Sequence, residues 1–528
     1  MTDKTPDQTQ NETIQQALET ITTLALAERM ADARKLFANL WPLISADIDY
    51  EQDPDNVNIF SGIALGYLNL DKRDEAERVA KIALMLAPTD LLAHAIASLV
   101  DRVSLARQFI HSHQGQKAID LLEVIQGTAP AAADETAFYL QLVRHYEAGA
   151  QKARSLAPLG GRPTLFNLAI WGETYVDKFL RTSLPSLMAP GNVPALAADD
   201  TVIFDIYTTE ADQARLAASP GICALSEIAR IDYEVIPAEF IGFKKTPATQ
   251  APDRLYFSGS NYLSAVKAKA LAADVTFVGT ESLYSDRFFS ESKTYLRDGY
   301  KAVLMSSLRA RDDGLAAYLD MHDAVTDHAI ALDAEHLVDY TAKNLNPQTR
   351  DMFIGSGDQP IGQDVVALYF KTANGFAGHS FQIYPALISH EIIPADLNFD
   401  GHTYDARLLA ECSQGEDPRQ IYKVIDNAAA TLFMVDLDSA SDGTERVFGA
   451  FPVTVEQCAK SAVTWCSRES DFPYFEWAFQ QRFEFRCDSA GLPNSAVTEA
   501  DAVAEFCERF AAAKPGQTRQ IRYFRDGI

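Results

Sequence analysis

The chain has 528 residues, 47% of them hydrophobic and 23% charged, an ordinary globular composition that excludes a disordered chain and suits roughly two to four domains. Its 46 Lys and Arg against 73 Asp and Glu give a formal charge of −27, which argues against nucleic acid as a partner because phosphate contacts need clustered cations. No stretch approaches the ~18 uninterrupted apolar residues of a membrane span, and the opening MTDKTPDQTQNE lacks the basic and apolar regions of a secretory signal. The six cysteines form no C-x-x-C pair and read as reduced thiols, so the cytoplasm is the expected location.

The first elements along the chain are helical. Phe60, Ile63, Ala64, Tyr67, Ala76, Ala80, Ala83 and Pro88 place bulky and small residues where two paired helices cross. Small residues let the helices approach, bulky ones fill the gaps, and proline closes the second helix. Ala118, Leu122, Ile125 and Pro130 repeat the second half, and Ala33, Phe37 and Leu40 give an earlier copy. The pattern resembles the tetratricopeptide (TPR) unit, although Ala76 and Ala118 lie 42 positions apart rather than the ~34 of a regular array. The resemblance implies a TPR-like helical solenoid over residues 1–155, whose groove holds a protein partner or acceptor. A helical bundle without a partner is the other reading.

A breaker cluster, Ala157 to Pro163, then reads as a linker, and the periodicity changes. Thr164–Ile170 is strand-like and ends at Trp171-Gly172. A helix follows from Glu173 to about Met188, with Tyr175, Phe179, Leu180 and Leu184 on one face. Thr201–Thr208, Asp232–Ile236, Val275–Val278 and Lys301–Met305 are further strands, with helices at Asn261–Ala272 and Ser290–Arg297 among them. Such alternation predicts βαβ units, a largely parallel sheet and a ligand crevice at the strands' carboxyl ends.

The phrases "FNLAIWGETYVDKFLRTSLPSLMAPGNVPAL", "IFDIYTTEAD" and "VTFVGTESLYSDRFF", followed by "HSFQIYPALISHE" and "LNFDGHTYDARLL", resemble a group of bacterial proteins with a GT-A-like glycosyltransferase domain. The resemblance covers about residues 163–440 and leaves 441–528 as a C-terminal extension packed on that α/β domain. It implies an α plus α/β protein: a helical solenoid followed by a GT-A-like, Rossmann-like domain. The implied activity is transfer of a sugar from a nucleotide-sugar donor to a protein or glycan acceptor, with Mg²⁺ or Mn²⁺ bridging the diphosphate. Where the group tends to have "fHxHP", this chain reads Phe381-Gln382-Ile383-Tyr384-Pro385, without either histidine.

Hard cations on a diphosphate need carboxylates at a strand end. Glu281 and Asp286 follow the strand at Val275–Val278 and are metal candidates, though their spacing departs from D-x-D. Asp436-Leu437-Asp438 is a D-x-D after the strand-like run Leu432–Val435, and alternation puts both carboxylates on one face. Trp171, Tyr207 and Thr208 end the first two strands and are candidates for nucleotide contact; Lys269 and Arg309 are candidates to neutralise phosphate. Asp400 and His379 are candidate bases for an acceptor hydroxyl. Each also has a plain reading as a packing, capping or surface residue. No P-loop, H-E-x-x-H or G-x-S-x-G is present. The rival to an enzyme is a non-catalytic TPR adaptor carrying a degenerate transferase fold.

Overall fold

The computed structural model describes residues 59–69, 73–86, 133–237, 252–326, 328–354, 365–397, 406–413, 416–438, 453–466, 471–495 and 497–512, with scattered positions before residue 59 and at 96 and 119. Among these residues no helix is long and apolar enough to cross a membrane. Among the described residues, the buried apolar side chains fall into two clusters.

The smaller core belongs to the amino-terminal helices. Helices Ile59–Asn69 and Arg73–Leu86 pack on each other, with Ile63, Ala64, Ala76, Ala80 and Ala83 fully buried between them and their neighbours. A Cβ on Gly62 would stand 2.1 Å from the Phe37 ring, so the segment carrying Ala33, Phe37 and Leu40 lies directly on this pair. Pro88, Ala118, Leu122, Ile125 and Pro130 lie outside the described residues.

The larger core is built on a seven-stranded sheet. Its strands are β1 (Thr164–Ala169), β2 (Val202–Thr208), β3 (Arg230–Val235), β4 (Asp274–Val278), β6 (Ala302–Met305), β10 (Tyr384–Ile388) and β11 (Tyr422–Val424), in the order β11-β6-β10-β4-β1-β2-β3. All six residues of β1 and all seven of β2 are buried, as parallel strands covered on both faces must be. β1 runs parallel to β2 and β4, and β2 runs parallel to β3. β10 is antiparallel to β4 and β6, while β11 is parallel to β6. The chain winds outward from β1 through β2 to β3, then returns to place β4 on the other side of β1. That reversal is a topological switch point, the place where open α/β sheets hold ligands.

Two three-stranded sheets flank the main one. The first has β12 (Met434–Asp438) between β5 (Ser282–Tyr284) and β7 (Leu308–Arg311). The second orders β13 (Phe483–Arg486), β9 (Gly375–Ser380) and β8 (Ala367–Thr372). The described residues beyond 440 join the same core: Phe479 stacks on Phe506 with ring centroids 3.5 Å apart, and β13 pairs with β9.

Helix Ala133–Arg154, grouped by sequence with the helical part, contributes Leu140, Leu142, Val143 and Tyr146 to this larger core. It lies against helix Pro252–Leu271 so closely that a Cβ on Gly259 would meet the Tyr146 ring at 1.9 Å. At the amino edge of the sheet, Asp274 is fully buried and paired with Lys293 at 2.7 Å and Arg162 at 2.8 Å.

Candidate functional site

Four charged candidates from three stretches of sequence, Glu281, Arg309 and the pair Asp436 and Asp438, meet at the carboxyl edge. β4 ends at Val278, and Gly279-Thr280-Glu281 turns the chain into β5. Glycine is needed sterically at 279, because a Cβ there would stand 2.2 Å from Ser282 Oγ. That hydroxyl donates to Asp436 Oδ1 at 2.6 Å. β12 lies antiparallel to β5 with Asp436 opposite Ser282, and parallel to β7 with Asp436 beside Arg309. Leu437 N donates to the Glu281 carbonyl at 3.0 Å, which closes the turn against β12. Arg309 Nη1 donates to Asp438 Oδ1 at 3.3 Å, and Asn346 Nδ2 donates to Asp438 Oδ2. Asn346 also caps helix Pro347–Asp351 through its Oδ1, so one side chain fixes both the helix start and the aspartate.

Crowding of like charges shapes the chemistry here. Burial, reinforced by the Asp436 carboxylate, pushes the Glu281 carboxyl above the usual range; Thr280, Arg309 and Lys178 oppose the rise. For Arg309, burial works against the charge, but Asp436, Asp438 and Glu281 together outweigh it and raise its value. Tyr384, half-buried at the start of β10, is held well above its ordinary value by desolvation, then by Tyr284 and Asp436; its hydroxyl donates to the Phe277 carbonyl.

Sequence reasoning missed Lys178. It is 8% exposed and ends helix Glu173–Lys178, where a π-helical turn, Phe179–Ser183, interrupts the regular winding before Leu184–Leu187. Ser183 Oγ donates to the Thr280 carbonyl at 2.9 Å, which fastens this turn to the loop bearing Glu281. The extra residue breaks the 3.6-residue period assumed from sequence. Tyr175, expected on the packed face, is 51% exposed, and its phenol lies near enough to act on the charge of Arg309.

The fit to a divalent cation rests on Glu281 and Asp436. Asp438 has both oxygens engaged by Arg309 and Asn346, so it orients Arg309 instead of offering a ligand face. Among the described residues no three His, Cys, Asp or Glu side chains could hold a metal by themselves. Two crowded carboxylates nevertheless suit Mg²⁺, which is commonly held by one or two carboxylates and completed by substrate phosphates.

Beside Asp436 opens a cavity of about 250 Å³. Its polar lining includes Arg309, Thr349, Tyr369, Gln382, Tyr384 and Asp436, and Met352 and Ile383 stand among its apolar walls.

The other candidates are placed elsewhere. Asp286 accepts from Gly191 N at 2.8 Å and secures that loop; it is not joined to the acidic cluster. Lys269 donates to the carbonyls of His390 and Glu391, beside the strand end at Ile388 and thus at the opposite edge of the sheet. His379 is 4% exposed, with Nδ1 3.0 Å from the Phe479 carbonyl and Nε2 3.0 Å from Glu499 Oε1. It anchors the C-terminal helix Glu499–Ala512 and does not line the cavity. Tyr207 is buried with its hydroxyl donating to Asp205 Oδ2 at 2.9 Å, and Thr208 is fully buried. Trp171 lies two residues beyond the carboxyl end of β1 and packs against Phe257, ring centroids 5.1 Å apart. Asp400 lies outside the described residues.

No protein-family model, no curated protein and no solved structure matches this chain.

Proposed function

We propose that the α/β half is a GT-A-like, nucleotide-sugar-dependent glycosyltransferase and that the TPR-like helices recruit its protein or glycan acceptor. The observation that carries this reading is the convergence of Glu281, Asp436 and Arg309 at the carboxyl edge, close to the β1/β4 switch point. Trp171 lies two residues beyond the end of the neighbouring strand at the same edge, where a nucleoside has an aromatic surface to meet.

In this reading Glu281 and Asp436 hold Mg²⁺ or Mn²⁺, which supplies charge neutralisation to the donor diphosphate. Arg309 and Lys178 add positive charge at the same locus, and Asp438 with Asn346 keeps the Arg309 guanidinium in place. A base, for which the sequence offers Asp400, takes the proton of the acceptor hydroxyl as that oxygen bonds to the anomeric carbon. The bond from that carbon to the diphosphate breaks, and its electron pair leaves with the phosphate.

The direct test is titration calorimetry and donor hydrolysis with a panel of nucleotide sugars, with and without Mn²⁺. Glu281→Gln and Asp436→Asn each weaken metal-dependent binding at least tenfold if the reading holds. Absence of binding by every donor to the intact chain would overturn it. A cavity of about 250 Å³ is below the ~300–1,000 Å³ usual for drug-sized ligands, and the two histidines are replaced. Those two observations favour the second reading, a non-catalytic adaptor, and it becomes the conclusion if no donor binds.

A further inference from the structure

The cavity beside Asp436, with a volume of about 250 Å³, has the wrong charge for a phosphate. Among the described residues, the charged side chains that line it are Arg309 and Asp436, of opposite sign. Arg309 is already turned to Asp438. Of the described lining, a diphosphate would meet one committed guanidinium and a carboxylate.

What remains is neutral and rich in hydrogen-bonding groups. The lining holds the Gln382 amide, the Thr349 hydroxyl, whose oxygen also accepts from Arg309 N, the Tyr369 phenol, and the Tyr384 phenol, whose oxygen can still accept while its proton goes to the Phe277 carbonyl. Burial raises the Tyr369 phenol to about 12 and holds Tyr384 well above its ordinary value, so both stay as uncharged O–H groups. Met352 and Ile383 supply apolar wall against which the C–H face of a ring can lie. Imidazoles in place of Gln382 and Tyr384 would bring metal-binding and titrating nitrogens; an amide and a phenol bring neither.

We infer that this cavity is a subsite for one neutral monosaccharide ring, with Asp436 at the border it shares with the Glu281 locus. The binding claim stands on the cavity itself, and its place in a transfer reaction rests on the reading above. The ring has two possible sources, the sugar being transferred or the terminal sugar of the acceptor, and both present the same hydroxyls.

Saturation-transfer NMR on the full chain tests the inference with glucose, galactose, mannose and N-acetylglucosamine at millimolar concentration, against glucuronate and inorganic phosphate. At least one neutral sugar gives transfer, glucuronate and phosphate give none, and Gln382→Leu lowers the signal at least fivefold. Ala367→Trp fills the cavity and abolishes it; circular dichroism and an unchanged melting temperature identify which variant remains folded. Binding of a nucleoside diphosphate with Mn²⁺ is measured in the same samples and reports on the Glu281–Asp436 locus separately. A sugar signal without nucleotide binding sinks the transferase reading but keeps the subsite. Nucleotide binding with no neutral-sugar signal, or with glucuronate or phosphate preferred, overturns the subsite. Competition assigns the source: a nucleotide sugar that displaces the free sugar when the nucleoside diphosphate alone does not marks the transferred ring, and no displacement by either marks the acceptor ring.

Discussion

Glu281 is the residue on which site chemistry and stability meet. Its carboxyl is raised by burial and then by Asp436, so the folded chain holds that proton more tightly than the unfolded chain does. A raised carboxyl costs stability as pH climbs from the ordinary carboxylate range through the folded value. Glu281→Gln removes the cost. The variant should therefore melt above the wild type at about pH 8, and the gap should close below about pH 4, where the ordinary carboxyl is also mostly protonated. A gap independent of pH in thermal melts would show that Glu281 is not crowded as described. Lys293 gives the contrasting case at the other edge. Burial lowers its value while Asp274, 2.7 Å away, supports the charge. Lys293→Met leaves the fully buried Asp274 short of a partner and should cost about 3–5 kcal/mol in urea unfolding. An unchanged midpoint and slope would contradict that assignment.

At the level of elements, the π-helical turn Phe179–Ser183 does the positioning. It puts Lys178 inward and lets Ser183 reach the Thr280 carbonyl, whereas an uninterrupted helix would rotate one of them away. Deleting Thr182 restores regular winding. We expect it to weaken nucleotide-sugar binding at least tenfold while the far-ultraviolet circular dichroism stays unchanged. Ser183→Ala removes a single buried hydrogen bond and should cost about 1 kcal/mol. β12 is the second positioning element. Its D-x-D was readable from sequence, because alternation alone puts Asp436 and Asp438 on one face. Its partners were not: a strand's sequence gives its faces, not the strands it will lie between. The same limit explains His379. Its proximity to Phe381 and Tyr384 in sequence suggested a shared site, but β9 directs it to Phe479 and Glu499.

Across the whole molecule, the two clusters of buried apolar side chains among the described residues predict where the chain divides. The larger core includes helix Ala133–Arg154, whose Tyr146 fits over Gly259. A fragment of residues 133–528 should fold and keep the melting transition of the α/β half. One of residues 156–528 loses Leu140, Leu142, Val143 and Tyr146 from its core and should be insoluble or lack a cooperative transition. Equal behaviour of the two fragments would refute the assignment of that helix.

Local rules in the sequence determined much of this protein. Apolar runs with β-branched residues marked β1, β2, β4 and β6, and small residues at helical spacing marked the crossing of Ile59–Asn69 with Arg73–Leu86. Periodicity reports which face of a segment is buried, and that information is contained within the segment. Only the tertiary structure decided that Asp436 would meet Ser282 and Glu281, because that pairing joins strands 154 positions apart. Pairing of that kind is chosen by how all the apolar faces are buried together, and no single stretch of sequence encodes it.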